Sequence, residues 1–168
     1  YEVVVSDCRE DYVKGLQNHT IETNEPEVQR MLLESTNLTA TTSNQEVIEA
    51  CDIIYTLVAT PSLADGSYDV SSVWQVVDDF KNSSLKLNGK TLVVGCTTNP
   101  GDCEKFAEQL DYFGVEVFYN PEFIAQGSIV RDLRQADMVL IGGNNSLIYA
   151  DLCELYHKIQ ETEPKISF

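Results

Sequence analysis

The sequence predicts an α/β domain built on a doubly wound parallel sheet. Short apolar runs alternate with amphipathic segments along the whole chain, the pattern of strands joined by crossover helices. Two of these runs, 52–58 and 91–94, are apolar at almost every position, as in strands covered on both faces. The 168 residues and 43% hydrophobic content are enough for one ordinary core. We therefore expect residues 1–168 to form a single domain.

Each predicted strand is a short run of apolar or β-branched residues. The runs are bounded by polar residues, glycine or proline, which are the usual limits of strands. In chain order the predicted strands are 2–5, 38–42, 52–58, 91–94, 115–118 and 138–141.

Each predicted helix combines an apolar stripe with a residue suited to a helix N-terminus. Proline fits the first turn, and Ser, Asn or Asp can accept hydrogen bonds from the free N–H groups there. In chain order the predicted helices are 10–16, a segment opened by Glu25-Pro26, a segment capped by Ser43 or Asn44 that runs to about Ala50, a segment capped by Asp69, a segment from Pro100 or Asp102 to Leu110, and 146–159.

Composition excludes several classes of partner. The formal charge of −16 argues against nucleic acid and anionic membrane surfaces, because phosphate binding depends on clustered Lys and Arg. No apolar run approaches the roughly 18 residues of a membrane span, and no secretory leader pattern is seen. The five cysteines show neither C-x-x-C nor zinc-type spacing, so we expect no metal. Free thiols in odd number favour a reducing, cytoplasmic location.

Polar residues follow four of the predicted strands, and the edge of an open α/β sheet where strands end is where ligands bind. Asp7, Thr60-Pro61, Thr97 and Glu122 occupy these positions. A carboxylate such as Asp7 at a strand end can accept the ribose hydroxyls of NAD, or it can cap the following helix. Glu122 lies between apolar neighbours, where its carboxyl can serve in chemistry, or it can point to water from an ordinary turn.

Five motifs, taken in order, resemble the N-terminal NAD-binding domain of the UDP-glucose/GDP-mannose dehydrogenase family. The resemblance covers nearly the whole chain with compatible spacing, and the combination is more specific than any single motif. The motifs are Asp7 after a strand, Glu25-Pro26, Thr60-Pro61 followed by the D-G-S-Y-D run at 65–69, the C-T-T-N-P-G run at 96–101, and the N-P-E-F run at 120–123.

The resemblance implies a Rossmann-like domain of an enzyme that oxidises the C6 alcohol of a UDP- or GDP-sugar to the uronic acid. Members of the family use two NAD⁺, hold the intermediate as a thioester on a cysteine elsewhere, and are expected to form homo-oligomers through another domain. By resemblance, Asp7 would hold the adenosine ribose, and Thr60 and Pro61 would line the cofactor groove. Thr97 would lie by the nicotinamide and a water, and Glu122 would act as acid–base or water-orienting group.

The chain also departs from the family pattern. The glycine-rich phosphate loop is absent and Tyr1 aligns with the second strand, so we expect a domain lacking its first strand and phosphate-binding loop, with a gap in the sheet. Gly95, Gln126 and Met138 stand where the family has Lys, Glu and Arg. Cys96 takes a Ser position and is not the family's nucleophile.

Two other functions remain open at this point. One is a different dehydrogenase of the hydroxyacid type, because a shared fold does not determine the substrate. The other is a degenerate, non-catalytic domain that serves in interaction or dimerisation.

Overall fold

The computed structural model describes residues 1–84 and 86–167. The strands are β1 Val3–Ser6, β2 Leu38–Thr41, β3 Ile53–Thr56, β4 Thr91–Val94, β5 Glu116–Tyr119, β6 Met138–Leu140 and β7 Lys165–Ser167. The helices are α1 Glu10–Gln17, α2 Val28–Glu34, α3 Asn44–Ala50, α4 Ser71–Lys81, α5 Asp102–Leu110, α6 Ile129–Arg134 and α7 Ser146–Ile159. A short 3₁₀ turn, Asp111–Phe113, joins α5 to β5.

The strands pair in parallel, as the alternating pattern predicts. β3, β4 and β5 form one sheet with β4 in the centre, while β1 pairs with β2 and β6 with β7. The predicted α/β fold is confirmed, but the sheet is divided into three parts. β1 and β3 lie in different sheets, and this is the place where the sequence predicts a gap.

The central strand β4 is buried on both faces, which explains its uninterrupted apolar sequence. Leu92 and Val94 belong to a core cluster that includes residues of α4 and α5, such as Val73 and Phe106. Val93 points the other way, into a second cluster that includes Leu152 of α7. Helices therefore cover the sheet on two sides, and the carboxyl end of β4 is held firmly from both.

The chain after β6 lies close to β5, and the residue at position 143 must be glycine for this approach. The backbone groups of Tyr119 and Gly142 exchange two hydrogen bonds of 2.7 and 2.8 Å. At the next position, a Cβ added to Gly143 would lie 2.3 Å from the ring of Phe118, which is fully buried. A side chain at 143 would therefore push the ring of Phe118 out of the core.

Several predicted boundaries differ from the structure. Pro26 does not open a helix: α2 begins at Val28, because Glu27 adopts a left-handed conformation with φ of 68°. Asp69 is one residue before the N-cap of α4, although its carboxylate accepts a 2.9 Å hydrogen bond from the N–H of Ser71. Helix α6 and strand β7 were not predicted. Among the described residues, no helix has both the length and the apolar content to cross a bilayer.

Candidate functional site

Three of the four predicted site segments lie at neighbouring strand ends. In the β3–β4–β5 sheet, Thr56 pairs with Val94 and Val94 pairs with Tyr119, so the three strands end side by side. The backbone beyond the strands continues this arrangement. The N–H of Gly95 donates to the Thr56 carbonyl at 3.0 Å, and the N–H of Glu122 donates to the Gly95 carbonyl at 3.2 Å. Thr60-Pro61, Thr97 and Glu122 thus lie on adjacent loops.

The amide of Asn99 ties the loop after β3 to the loop after β4. Its Oδ1 accepts from the N–H of Tyr68 at 2.8 Å, and its Nδ2 donates to the Tyr68 carbonyl at 3.0 Å. This side chain therefore pairs with Tyr68 much as a neighbouring strand would. The pairing fixes the segment that follows Thr60-Pro61.

Asp102, at the start of α5, holds Asn99 in turn. Its Oδ2 accepts from the backbone N–H and the Nδ2 of Asn99, at 3.0 and 2.8 Å, and Oδ1 lies 3.1 Å from the ammonium of Lys105. The residue is 5% exposed. Burial acts to raise the pKa of this carboxyl, but the hydrogen bonds from Asn99 and Lys105 bring it below the ordinary value. Asp102 is therefore an ionised structural anchor.

Glu122 has a partly shielded carboxyl at the end of β5. More than a third of the residue surface is open to solvent, so the burial that raises the pKa of this carboxyl is incomplete. A cavity of about 20 Å³ lies beside it, bordered by Pro121, Ile124 and Tyr156 among other residues. A carboxyl of raised pKa near apolar side chains is suited to accepting and returning a proton.

Thr97 is exposed after the end of β4, and the cysteines at 96 and 103 in the same region are both partly buried. Burial raises the pKa of the Cys96 thiol, and it raises the pKa of Cys103 to about 11. A raised pKa favours the neutral thiol, which is a poorer nucleophile than the thiolate. Within residues 1–84 and 86–167, no group of three or more His, Cys, Asp and Glu side chains is arranged to hold a metal ion.

Asp7 lies at the end of β1, in a different sheet from the other three segments. Its N–H donates to the Thr41 carbonyl at 3.2 Å. The carboxylate accepts from the backbone N–H of Arg9 and from the Arg9 guanidinium, at 2.9 to 3.0 Å. These side-chain hydrogen bonds lower the pKa of Asp7. Arg9, not Asp7, is the N-cap of α1, so Asp7 does not serve as the helix cap.

Gly95, where the family has Lys, lies beside an apolar side chain. A Cβ added to Gly95 would lie 2.5 Å from Cδ2 of Leu57. Leu57 is 57% exposed, so it presents an apolar surface beside the strand ends. A longer side chain at 95 would require Leu57 to move.

Sequence reasoning missed a contact between distant loops. The carboxylate of Glu25 accepts from the N–H of Gly127 at 2.6 Å and from the N–H of Ile129 at 3.3 Å. It fastens the segment 21–27 to the loop that follows Glu122. The Glu25-Pro26 motif was recognised in the sequence, but no local signal indicates a partner 102 residues away.

A larger cavity lies elsewhere. It measures about 470 Å³ and is lined by residues of α2, α6 and the end of α7, including Met31, Leu133 and Ile159. None of the sequence-predicted site residues borders it. The candidate site is therefore the open edge formed by the strand ends.

Sequence comparison relates the chain to a known family of dehydrogenases. Residues 1–160 match the NAD binding domain of the UDP-glucose/GDP-mannose dehydrogenase family. The UDP-glucose 6-dehydrogenase of Rickettsia conorii is 31% identical over 133 residues, which are 78% of this chain and 30% of that protein. The UDP-glucose 6-dehydrogenase of Pseudomonas aeruginosa is 31% identical over 130 residues, covering 74% of this chain and 29% of that protein. The chain thus spans about a third of the length of these relatives.

Solved structures agree on the fold. A ternary complex of GDP-mannose dehydrogenase from Pseudomonas aeruginosa superposes with a TM-score of 0.85 at 20% identity, over 99% of this chain and 41% of that chain. A UDP-glucose dehydrogenase from Pyrobaculum islandicum gives a TM-score of 0.83 at 25% identity, over 99% of this chain and 40% of that chain. The chain belongs to the UDP-glucose/GDP-mannose dehydrogenase family and corresponds to its NAD-binding domain.

Proposed function

We propose that residues 1–168 form the cofactor-binding domain of an NAD-dependent nucleotide-sugar 6-dehydrogenase, which oxidises the C6 alcohol of a UDP- or GDP-sugar to the uronic acid. The observation that carries this proposal is the alignment of Thr60-Pro61, Thr97 and Glu122 on adjacent loops at the ends of β3, β4 and β5. In open α/β sheets this edge receives the ligand. When bound there, NAD⁺ would accept the hydride removed from the sugar.

Asp7 supports the choice of NAD over NADP. A carboxylate at the end of a strand can accept the ribose hydroxyls, and its charge repels a 2′-phosphate. Asp7 is paired with Arg9, which is 61% exposed in its side chain, so the guanidinium can turn into water when the ribose takes its place. Thr60 and Pro61 would line the groove, and Asn99 keeps the segment after them in place.

Thr97 and Glu122 would have different roles near the nicotinamide ring of the cofactor. The exposed hydroxyl of Thr97 can orient the nicotinamide end of the cofactor and a water molecule. The carboxyl of Glu122, whose pKa is raised by partial burial, can take a proton from that water and return it later.

Cofactor selectivity can be tested by titration. In the complete dehydrogenase we expect NAD⁺ to bind more tightly than NADP⁺, and Asp7→Ala to weaken NAD⁺ binding by about 1.5–3 kcal/mol, the range for hydrogen bonds to a charged group. Asp11→Ala, on the exposed part of α1, is the matched control. Equal or tighter binding of NADP⁺ to the unaltered protein would reject the role of Asp7.

Turnover tests the role of Glu122. Glu122→Gln should leave NAD⁺ affinity unchanged and slow release of the acid product by about 10²–10⁴-fold, the usual contribution of general acid–base catalysis. Single-turnover assays with UDP-glucose and related sugars would show accumulation of the enzyme-bound intermediate. Normal turnover in a folded variant would remove Glu122 from the site.

A non-catalytic interaction domain is the second candidate, and one observation favours it. Gly95 stands where the family has Lys, so the positive charge is missing, and Cδ2 of Leu57 lies 2.5 Å from the place a Cβ would take. This candidate predicts NAD⁺ binding without oxidation of any sugar nucleotide. Measurable turnover of UDP-glucose or GDP-mannose by the complete protein would dismiss it.

The cellular setting is also part of the proposal. All five cysteines are free thiols, which suits the reducing cytoplasm. We expect the complete enzyme to be a homo-oligomer assembled outside this domain, and size-exclusion chromatography with light scattering would test that expectation.

A further inference from the structure

A buried amide connects the candidate site to three other parts of the fold. Asn120, directly after β5, is 1% exposed. Its Oδ1 accepts from the hydroxyl of Tyr55 on β3 at 3.1 Å and from the hydroxyl of Tyr156 on α7 at 2.8 Å. Its Nδ2 donates to the carbonyl of Leu140 on β6 at 2.8 Å.

The chemistry of the partners determines how the amide is oriented. A backbone carbonyl can only accept, so it must face Nδ2, and the two phenols can then donate to Oδ1. Both lone pairs of Oδ1 are occupied by these donors. Rotation of the Asn120 amide would leave buried polar groups without partners, so a single orientation is strongly favoured.

The same residue begins the backbone path to Glu122. The N–H of Asn120 donates to the Val94 carbonyl at 2.9 Å, and Pro121 restricts the next backbone angle. Tyr156 also borders the small cavity beside Glu122. A change at the Asn120 amide can therefore reach Glu122 through Pro121, the single residue between them, and through Tyr156, which borders the same cavity as Glu122.

We propose that Asn120, held by Tyr55 and Tyr156, is a positioning residue that sets the location of the Glu122 carboxyl at the candidate site. The inference rests on the proposed function, because the position of the Glu122 carboxyl matters for proton transfer only if that function is correct. It goes beyond that function by assigning a role to Asn120, Tyr55 and Tyr156, to which the proposed function gives none. Burial alone would keep the loop attached, whereas the three hydrogen bonds of the amide define where it lies.

Single hydroxyl deletions test the proposal with little change in packing. In the complete protein, Tyr156→Phe and Tyr55→Phe each remove one donor to Oδ1 and retain the ring. Amide hydrogen exchange at Glu122, whose N–H is bonded to the Gly95 carbonyl, reports the position of the loop. We expect exchange at Glu122 to accelerate about two- to tenfold more than exchange in β4, the factor that corresponds to one net hydrogen bond.

A second readout follows the Glu122 carboxyl itself by ¹³C NMR titration. Besides Glu122, the titratable groups facing this region are the Cys96 thiol, the Tyr156 phenol and the Asp132 carboxyl. Release of the loop into water should move the titration midpoint of Glu122 down, toward the ordinary value for Glu. Tyr112→Phe, at a ring that is 91% exposed, is the matched control and should change neither readout.

The outcomes separate positioning from simple stabilisation. If exchange at Glu122 and in β4 rises by the same factor and the titration midpoint stays constant, the amide merely stabilises the fold and the proposal is overturned. Selective acceleration at Glu122 with a lowered midpoint supports it. Both measurements are independent of turnover, so normal turnover in a folded Glu122→Gln variant would remove Glu122 from the proposed reaction without deciding whether Asn120 positions the loop.

Discussion

Replacing Asp102 by Asn should weaken the domain by a calculable amount. The Asn side chain keeps one oxygen for the two donors of Asn99 but loses the charge that strengthens both hydrogen bonds. Hydrogen bonds to charged groups are worth roughly 1.5–3 kcal/mol and neutral ones roughly 0.5–1.5, so two weakened bonds cost about 2 kcal/mol. The Lys105 side chain is 61% exposed, and losing its ion pair adds about 0–1 kcal/mol.

The effect should depend on pH in a defined direction. The pKa of Asp102 is lowered in the folded protein, so its charge stabilises the fold above the unfolded-state pKa of about 3.9. This stabilisation is lost as the pH falls through the folded-state pKa. The difference between the wild type and Asp102→Asn should therefore be full at pH 7 and shrink toward zero in acid.

Urea unfolding followed by tryptophan fluorescence measures the difference. Trp74, the single tryptophan, packs edge-on against Phe106 of α5 with ring centroids 4.7 Å apart, so it reports the helix that Asp102 begins. Glu104→Gln, at an exposed carboxylate in the first turn of α5, controls for loss of charge near the helix N-terminus. The reasoning fails if the two variants unfold alike at pH 7, or if the difference from the wild type persists unchanged in acid.

Three further perturbations have defined expectations. Gly143→Ala should destabilise the domain by about 1–3 kcal/mol, because the added methyl meets the buried Phe118 ring; an unchanged urea midpoint would contradict the contact. Glu122→Gln should raise stability relative to the wild type more at pH 7 than at pH 4. The raised pKa of Glu122 means that its carboxyl favours folding while protonated, below the unfolded-state pKa of about 4.3, and that this contribution is lost as the pH rises through the folded-state pKa. Thermal melts of both proteins at the two pH values check the sign. Glu25→Gln should accelerate amide exchange at Gly127 selectively, and equal acceleration across the chain would argue against a local clamp.

The helices and strands whose signals lie within a few residues of each other in the sequence could be predicted. The N-cap of α3 is Ser43, whose Oγ accepts from the N–H of Glu46 at 3.3 Å, and α7 has the predicted bounds. The buried strand β4 coincides with the predicted run 91–94. In each case the signal lies within one turn of helix or one strand, and the core burial agrees with it.

The elements that were missed depend on partners far along the chain. Helix α6 has six residues and begins directly after Ser128, whose hydroxyl donates to the Asp132 carboxylate at 2.6 Å. A serine before an apolar pair is a usable but weak start signal. Strand β7 has three residues and is stabilised by its pairing with β6, which lies more than twenty residues earlier in the chain. Neither has enough periodicity to stand out.

The candidate site shows the same division between strand ends and loops. The apolar pattern predicts where β3, β4 and β5 end, and hence the neighbourhood of Thr97 and Glu122. It does not reveal how the loops beyond are held, because Asn99 pairs with a residue 31 positions away.

Asparagine is well suited to holding such loops. Its amide offers a donor and an acceptor together, so it can pair with the N–H and the carbonyl of a neighbouring segment at once, as Asn99 does with Tyr68. Asn120 uses the same property to join β3, β6 and α7. Core substitutions should therefore lower stability across the whole domain, whereas substitutions at the two amides should displace particular loops. The geometry of the strand-end site therefore depends on these amide hydrogen bonds, while the apolar core holds the strands from which the loops extend.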